Sequence, residues 1–299
     1  MTARRCAYLT MANADGWIID AGLGFTPLEA MGWVIEEVPW RAGDSDWDSF
    51  DAVYLGTPWD YPEDPQRFMA VLESIDRSSA VLVNDIALVR WTLSKSYLRD
   101  LQDRGMAIVP SYWGNDLSLD VLHDACDGFD VDKIVVKPVI NTNATHTFLL
   151  DCEQLPDRVA ELREIFDKRS FVIQPFIEDI QSSGESSLFY FGGQFSHAIQ
   201  KIPKQGDFRV QEEYGAEITA VEPEPMQLDA GKQLMQLVDP VPVYARADFV
   251  PGPGGGYLLM ELEVIEPSLY LRMDTGAPQR FAEAFDEYVT NVSGETSRD

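Results

Sequence analysis

Residues 244–268 read YARADFVPGPGGGYLLMELEVIEPS, two apolar stretches separated by a turn rich in glycine and proline. This pattern predicts a β-hairpin that places Asp248 opposite Glu261 and Glu263. Because side chains alternate along a strand, Glu261 and Glu263 must lie on one face. Three carboxylates gathered in this way would repel one another without a cation, and Mg²⁺ prefers oxygen ligands. The hairpin therefore predicts a magnesium site of the kind used with phosphates, with a solvated acidic hairpin as the alternative.

Composition limits the kinds of partner. The chain has 299 residues, 45% of them hydrophobic, and a formal net charge of −27. It is long enough for up to three small domains, and its charge disfavours nucleic acid and membrane surfaces as partners. The cysteines Cys6, Cys126 and Cys152 form no metal-binding pattern. We therefore expect reduced, buried cysteines in a cytoplasmic protein.

Strand-like and helix-like segments alternate over the first 85 residues, which predicts a parallel α/β unit. The loop 56–62, which follows a predicted strand, is the expected place for substrate contacts, or else a rigid packed connection. Amphipathic periodicity predicts one long helix over 86–104. Residues 1–85, 86–180 and 181–290 are the expected units, and 291–299 the expected flexible tail.

The middle and C-terminal segments are predicted to contain antiparallel strands. Lys133 to Lys137, Thr147 to Leu150 and Phe171 to Gln174 have the composition of strands. The dipeptide Gly192-Gly193 separates two further apolar runs, which predicts a hairpin with a tight turn.

Several cations lie at the ends of apolar segments, where an anion is the expected neighbour. Lys137 leaves a β-branched strand and precedes the small polar loop 141–147, whose backbone N–H groups could surround phosphate oxygens. Lys201 ends another strand, and Arg246 shares a strand face with Asp248. A surface lysine and a plain Arg–Asp ion pair are the alternatives.

Other motifs predict a surface that could bind a nucleotide, and the absence of certain motifs disfavours some enzyme classes. Residues 171–179, FVIQPFIED, offer an apolar surface, backbone hydrogen bonds and acids, as a purine nucleoside requires. The chain has no glycine-rich dinucleotide fingerprint, no P-loop and no serine-nucleophile motif. His123, His146 and His197 are dispersed and are expected to be structural or at the surface.

In order along the chain, these residues resemble the ATP-grasp superfamily, near its glutathione synthetase and D-alanine ligase branches. The resemblance covers about 86–285 and rests on the ordered set Lys95, Lys137, Gln174 to Ile177, Gly184-Glu185, Lys201, Asp207 to Arg209, Arg246, Asp248, Glu261 and Glu263. It implies an α/β (α+β) fold, in which two ATP-grasp subdomains follow the N-terminal parallel domain and clamp ATP. The loop 141–147 has no glycine, unlike the usual family loop, and Glu263 stands where asparagine is usual.

The resemblance also implies roles for individual residues, with ATP and two Mg²⁺ ions as cofactors. Lys95 and Lys137 would bind phosphates, Gln174, Phe176 and Ile177 adenine, and Asp179 or Glu185 the ribose. Catalytic roles would fall to Lys201 at the γ-phosphate and to Arg209 and Arg246 at the transferring groups. The metal ligands would be Asp248, Glu261 and Glu263.

The expected activity is that of an ATP-dependent carbon–nitrogen ligase, which activates a carboxylate as an acylphosphate for attack by an amine. The amine would belong to the same amino-acid molecule or to a second substrate. A nucleotide-binding regulatory module and a small-molecule kinase are the alternatives. The resemblance further implies a small-molecule amino-acid substrate and a homodimer or homotetramer, with no nucleic acid and no membrane as partners.

Overall fold

The N-terminal part of the chain forms a parallel sheet. The computed structural model describes residues 3–43 and 45–296. Four strands pair in the order β2-β1-β3-β4: β1 (Arg4–Thr10), β2 (Trp33–Pro39), β3 (Ala52–Thr57) and β4 (Val81–Val83). The helices α1 (Phe25–Ala30) and α2 (Pro65–Asp76) connect them. Every residue of β3 is buried, as expected for a central parallel strand, and the predicted α/β unit is confirmed.

The single long helix predicted over 86–104 is wrong. Two helices form instead, α3 (Ile86–Thr92) and α4 (Tyr97–Asp103). Between them the Lys95 N–H donates a 2.8 Å hydrogen bond to the carbonyl of Val139. This contact with a distant loop replaces a helical hydrogen bond, and no periodicity within the segment could have indicated it.

The middle of the chain forms an antiparallel sheet, with strand order β5-β8-β6-β7. Its strands are β5 (Tyr112–Gly114), β6 (Lys133–Pro138), β7 (Phe148–Asp151) and β8 (Phe171–Pro175). The helices α5 (Leu119–Phe129) and α6 (Leu155–Phe166) cover it through an apolar cluster that includes Leu122, Leu162 and Phe171. The strands predicted here are confirmed, whereas β5 was missed because it has only three residues.

Two of the three cysteines are not reduced. Cys126 of α5 and Cys152, just after β7, form a disulfide across a separation of 26 residues. Cys6 is free and buried, as expected. The expectation failed for the pair because neither a CxxC motif nor any other local spacing indicates that α5 lies against the end of β7.

The C-terminal part forms a second antiparallel sheet, ordered β11-β10-β9-β12-β13. Its strands are β9 (Glu185–Phe191), β10 (Gln194–Ile202), β11 (Glu217–Ala220), β12 (Tyr244–Pro251) and β13 (Tyr257–Glu263). The short helix α7 (Ile180–Ser183) precedes this sheet, and α8 (Pro225–Leu237) lies within the segment. The predicted turn between β9 and β10 is confirmed, with φ values of 56° at Gly192 and 73° at Gly193.

The last helix, α9 (Ala277–Thr296), joins the first and third sheets. Phe281 and Phe285 of α9 are fully buried, in one apolar cluster with Tyr54 of β3 and Phe189 of β9. The expected flexible tail is therefore helical over 291–296, because α9 continues into it. The rest of that prediction, residues 297–299, lies outside the described residues.

Each sheet takes all its strands from one of the segments 1–85, 86–180 and 181–290. Helix α9 nevertheless packs against both the first and the third sheet. The division into these units remains a prediction. No helix within 3–43 and 45–296 is both long and apolar enough to cross a membrane.

Candidate functional site

A cavity of about 210 Å³ lies where the three sheets meet. Its lining comes from the exits of β6 and β8, from the faces of β10, β12 and β13, and from the loop after β3. With one exception, all the side chains predicted for the site line it: Lys95, Lys137, Gln174, Phe176, Ile177, Glu185, Lys201, Arg209, Arg246, Asp248, Glu261 and Glu263.

The hairpin β12–β13 has the predicted register. Asp248 pairs with Glu261, and Arg246 pairs with Glu263, before an irregularity between Asp248 and Phe249 shifts the pairing. Since residues two apart share a face, all four side chains point into the cavity.

Two buried cations are held by the acids of this face. The Lys201 ammonium lies 2.5 Å from Glu185 and 3.3 Å from Asp248. The Arg246 guanidinium pairs with Asp248, at 3.0 Å, and with Glu263. The Ser187 hydroxyl adds a 2.5 Å hydrogen bond to Asp248. The group is thus a network of alternating charges in which each carboxylate has at least one cation beside it.

These pairs shift the pKa values of the buried groups. Burial alone would lower the pKa of Lys201, but the carboxylates of Asp248 and Glu185 together raise it to about 12. Burial would raise the pKa of Asp248, but Arg246 and Lys201 hold it well below its usual range. Burial raises the pKa of Glu263 to about 7, against the opposing effect of Arg246. The lysine and the aspartate are therefore fixed in their charged forms at neutral pH.

One glycine is required for this arrangement. Lys201 of β10 lies opposite Glu185 of β9, and Gly184 precedes that pair with φ of 73°. A Cβ at Gly184 would lie 2.6 Å from the backbone oxygen of Lys201. Only glycine combines this conformation with so close an approach of the two strands.

The two lysines expected to bind phosphate differ in their surroundings. The Lys95 ammonium lies 2.6 Å from Glu261 and 3.4 Å from the Asn141 carbonyl. The Lys137 ammonium faces the cavity beside the Met260 sulfur, 4.0 Å away, and within the described part of the chain no carboxylate lies within 4.0 Å of it. Burial lowers the pKa of Lys137. Among the described residues, Lys137 is thus a buried cation with no carboxylate close enough to form an ion pair with it.

The three acids predicted as magnesium ligands lie on the same cavity wall, but they are not grouped around a common point. Among the residues that the structure describes, no three Asp, Glu, His or Cys side chains are arranged to hold a metal ion. Each of the three is instead turned toward Lys95, Lys201 or Arg246. Their oxygen donors fit Mg²⁺ chemically, and the ligand assignment stays a prediction.

An apolar wall occupies the position predicted for adenine. Gln174, Phe176 and Ile177 line the cavity together with Val135 of β6 and Met260 of β13. The Gln174 amide donates a 3.0 Å hydrogen bond to the Ser111 hydroxyl, which fixes its orientation. Of the two acids expected at the ribose, Glu185 lines the cavity, whereas Asp179 is exposed at the start of α7 and does not. The structure thus separates Asp179 from the other candidates.

The loop 141–147 takes up left-handed conformations without glycine. The φ angles are 47° at Asn143, 53° at Ala144 and 54° at His146. Non-glycine residues pay about 1 kcal/mol or more for such angles, and such residues cluster at functional sites. The Thr142 hydroxyl donates to the Trp59 carbonyl at 2.8 Å, and the Tyr214 hydroxyl donates to the Asn143 carbonyl at 3.2 Å. The loop is therefore anchored from both sides of the cavity.

Arg209 is held at the cavity edge by its neighbours. Its guanidinium makes two hydrogen bonds to the Asp207 carboxylate, at 3.0 and 2.7 Å, and lies 3.7 Å from the ring centre of Tyr214. These hydrogen bonds hold the pKa of Asp207 well below its usual range. Asp207 and Tyr214 thus hold the Arg209 side chain in one orientation in the cavity lining, and its charge is already paired with that of Asp207.

The lining residues that sequence reasoning did not propose for the site include Trp17 and Glu266. Glu266 lies three residues after Glu263 and beyond the end of β13, so the alternation that grouped the other acids did not reach it. Trp17 lies in an irregular segment and carried none. The loop predicted for substrate contacts does supply Trp59 and Tyr61 to the cavity.

Comparison with solved structures identifies the fold. The chain superposes on the crystal structure of D-cycloserine synthetase DcsG with a TM-score of 0.85 and 26% identity, over 95% of this chain and 99% of that one. A D-alanine–D-alanine ligase from Bacillus anthracis complexed with ATP gives a TM-score of 0.69 at 16% identity, over 98% of this chain and 100% of the other. The chain has the ATP-grasp fold and is an ATP-dependent ligase.

Other comparisons support the same relationship for this ATP-grasp ligase. Residues 6–84 match the family described as D-cycloserine synthetase DcsG, N-terminal domain. The cycloserine biosynthesis protein DcsG of Streptomyces lavendulae is 28% identical over 277 residues, which is 86% of this chain and 89% of that protein. The ATP-grasp ligase PsnB, complexed with its minimal precursor, Mg and ADP, shares the fold at a TM-score of 0.63 and 14% identity, over 95% and 98% of the two chains. The resemblance predicted from the ordered motifs is confirmed, and the regulatory-module alternative is not supported.

Proposed function

We propose that this ATP-grasp ligase closes O-ureido-D-serine into D-cycloserine, with release of ADP and phosphate. The observation that carries the proposal is its similarity to D-cycloserine synthetase over nearly the whole of both chains. The cavity is consistent with it, because one wall gathers five buried or half-buried charged side chains on β10, β12 and β13: Lys201, Arg246, Asp248, Glu261 and Glu263.

The proposed placement of ATP follows the charges of the lining. Adenine lies against Gln174, Phe176 and Ile177, and the phosphates lie toward Lys137 and Lys95. Lys137 is the best-supported of these contacts, because its buried charge lacks a close carboxylate. Of the two acids, the exposure of Asp179 favours Glu185 for the ribose. Lys201 then faces the γ-phosphate.

The chemistry starts from a carboxylate, which is a poor electrophile at neutral pH. Transfer of the γ-phosphoryl group to it gives an acylphosphate and ADP. Magnesium, held by Asp248, Glu261 and Glu263, would neutralise phosphate charge. Arg246 lies beside these acids and stabilises negative charge on the transferring phosphoryl group and on the tetrahedral oxyanion that follows, and Arg209 assists it from the cavity edge.

Ring closure follows when the nitrogen bonded to oxygen attacks the acyl carbon and phosphate leaves. Because nucleophile and electrophile belong to one molecule, the effective molarity is high, and the site mainly orients the chain and excludes water. The new ring still carries the carbamoyl group of the ureido substituent. Atom balance therefore requires its hydrolysis, which releases carbamic acid and gives D-cycloserine.

The test is Mg²⁺-dependent ADP release with a panel of carboxylates, with products identified by mass. O-ureido-D-serine is supplied alone and together with free amino acids. ADP with a single cyclised product supports the proposal. ADP formed only when two substrates are present would replace it with an intermolecular amino-acid or peptide ligase, and a stable phosphorylated product would indicate a kinase.

We also propose that the enzyme works in the cytoplasm, where ATP is supplied, as a homodimer or homotetramer with a small-molecule amino-acid substrate. The basis is the resemblance to other ATP-grasp ligases. Light scattering coupled to size-exclusion chromatography measures the mass in solution, and a monomer would contradict the second part.

A further inference from the structure

Charge pairing within the described part of the cavity leaves two lining acids without a cation: Glu213, which is exposed and accepts a hydrogen bond from the Ile18 N–H, and the buried Glu266. Lys95 pairs with Glu261, Lys201 with Glu185 and Asp248, and Arg246 with Asp248 and Glu263. The side chain of Glu266 also lines the cavity, yet it has no hydrogen bond or ion pair within the described residues. Glu266 is only 8% exposed.

A buried carboxylate without a partner is costly, and such groups are rare unless a ligand supplies the missing charge. Burial, together with the nearby charges of Glu263 and Glu261, raises the pKa of Glu266 well above its usual range. The carboxylates of Glu263 and Glu261 near this side chain favour a cationic ligand and disfavour a phosphate.

The surroundings of Glu266 fit a small cation. The Trp59 indole donates a 2.8 Å hydrogen bond to the Glu266 carbonyl, which ties the two segments together. The ring of Trp17 lies 4.9 Å from that of Trp59, and both rings line the cavity. Tryptophan faces attract ammonium groups, and a carboxylate adds a charge-assisted hydrogen bond.

We propose that Glu266, with the Trp17–Trp59 pair beside it, is the recognition site for the protonated amine of the amino-acid substrate. The inference rests on the proposed function, since it names the substrate group that this cavity selects. Two buried side chains of one cavity are then available to ligand groups of opposite charge: Lys137, where phosphate is expected, and Glu266, beside the loop after β3.

The experiment measures binding rather than turnover. O-ureido-D-serine and its analogue with hydrogen in place of the α-amine are titrated calorimetrically into the full chain with ADP and Mg²⁺. The variants are Glu266→Gln, which removes the charge at nearly constant volume, and the control Glu217→Gln, an exposed position on β11. The wild type is expected to bind the amine about tenfold or more tighter than the analogue, since hydrogen bonds to charged groups have that strength. That preference should vanish in Glu266→Gln and persist in Glu217→Gln.

Two kinds of binding result would contradict the inference. Equal binding of the two compounds by the wild type, including no binding of either, overturns it, and so does an undiminished preference in Glu266→Gln. ADP binding by Glu266→Gln at wild-type affinity shows that the variant is folded. Because no turnover is needed, an amine preference that depends on Glu266 in a chain that forms no D-cycloserine would keep this inference and remove the proposed reaction.

Discussion

At the scale of single residues, the cavity distinguishes cations that support the fold from one that is available to a ligand. Lys95, Lys201 and Arg246 compensate buried carboxylates, so replacing them affects folding as well as binding. Lys137 has no such partner. Variants at these positions should therefore fall into two classes.

Lys137→Met is expected to weaken ATP binding by about tenfold or more without lowering the melting temperature, because it removes an uncompensated buried charge. Calorimetric titration with ATP analogue and a thermal melt measure the two effects. Lys168→Met, at an exposed position, is the control. A Lys137 variant that binds the nucleotide normally would remove Lys137 from the phosphate site.

Arg246→Ala is expected to abolish turnover while nucleotide binding persists through the adenine wall and Lys137. The free energy of unfolding should fall by about 3–5 kcal/mol, because Glu263 loses its cation and Asp248 keeps only Lys201. ADP release and urea unfolding measure these changes, with the exposed Arg99→Ala as control. Unchanged turnover in Arg246→Ala would exclude a catalytic role.

His197 predicts a pH dependence of stability. Burial lowers its pKa to about 4. Its ring stacks on Phe189 at 4.3 Å, and Nε2 donates to the Leu269 carbonyl at 3.1 Å. Between about pH 6.5, the pKa of an unperturbed histidine, and pH 4, the unfolded chain binds more protons than the folded one, so acidification destabilises the fold.

From pH 7 to 5 this residue should contribute a loss of about 1–2 kcal/mol. Urea unfolding of His197→Gln at the two pH values should show that much less pH dependence than the wild type. His123→Gln, at an exposed position, should retain the wild-type difference. Identical pH profiles for wild type and His197→Gln would contradict the assignment.

At the scale of elements, the start of β12 explains how the acidic hairpin is held against the first sheet. The Tyr244 hydroxyl is within hydrogen-bond distance of three carbonyls, those of Leu55 at 3.4 Å, Val83 at 3.0 Å and Ile265 at 3.0 Å. These belong to β3, β4 and the segment after β13. The hydroxyl has one proton, which these three carbonyls share or accept in turn, and it lies where three elements meet.

Tyr244→Phe should lower the free energy of unfolding by about 1–3 kcal/mol, since the buried carbonyls lose the one proton that they share. Tyr190→Phe is the matched control, because the Tyr190 hydroxyl is buried and has no partner within the described residues. The control should be neutral or stabilising. Urea unfolding tests the pair, and equal losses in both would show that the Tyr244 hydrogen bonds add nothing.

At the scale of the whole molecule, the first sheet and the third act as one support for the site. Asn84, just after β4, donates to the carbonyls of Tyr244 at 2.9 Å and Val264 at 2.8 Å, and accepts from the Val243 N–H at 2.6 Å. It is 1% exposed. The Asn84 side chain thus binds residues that are 159 to 180 positions away along the chain. The apolar cluster around α9 connects the same two sheets.

Asn84→Ala is expected to cost about 3 kcal/mol or more in unfolding free energy, because three buried backbone groups lose their partners. Activity per folded molecule should also fall, since β12 carries Arg246 and Asp248. Asn115→Ala, exposed and outside the site, is the control for urea unfolding and ADP release. A loss no larger than that of the control would contradict the role assigned to Asn84.

Periodicity and turn chemistry were enough to predict the parallel N-terminal sheet and the hairpin that carries Arg246, Asp248, Glu261 and Glu263, because both act between near neighbours in the chain. The order of the ATP-grasp residues could also be read from the sequence. The break in the helix at Lys95, the partners of the acids and the exposure of Asp179 depend on how distant segments pack. The disulfide and the isolation of Glu266 depend on that packing too. Lys95 and Glu261 are 166 residues apart, and no local pattern records which distant charge a side chain meets. Pairing of buried charges follows from how the sheets pack, and that packing is a property of the whole chain.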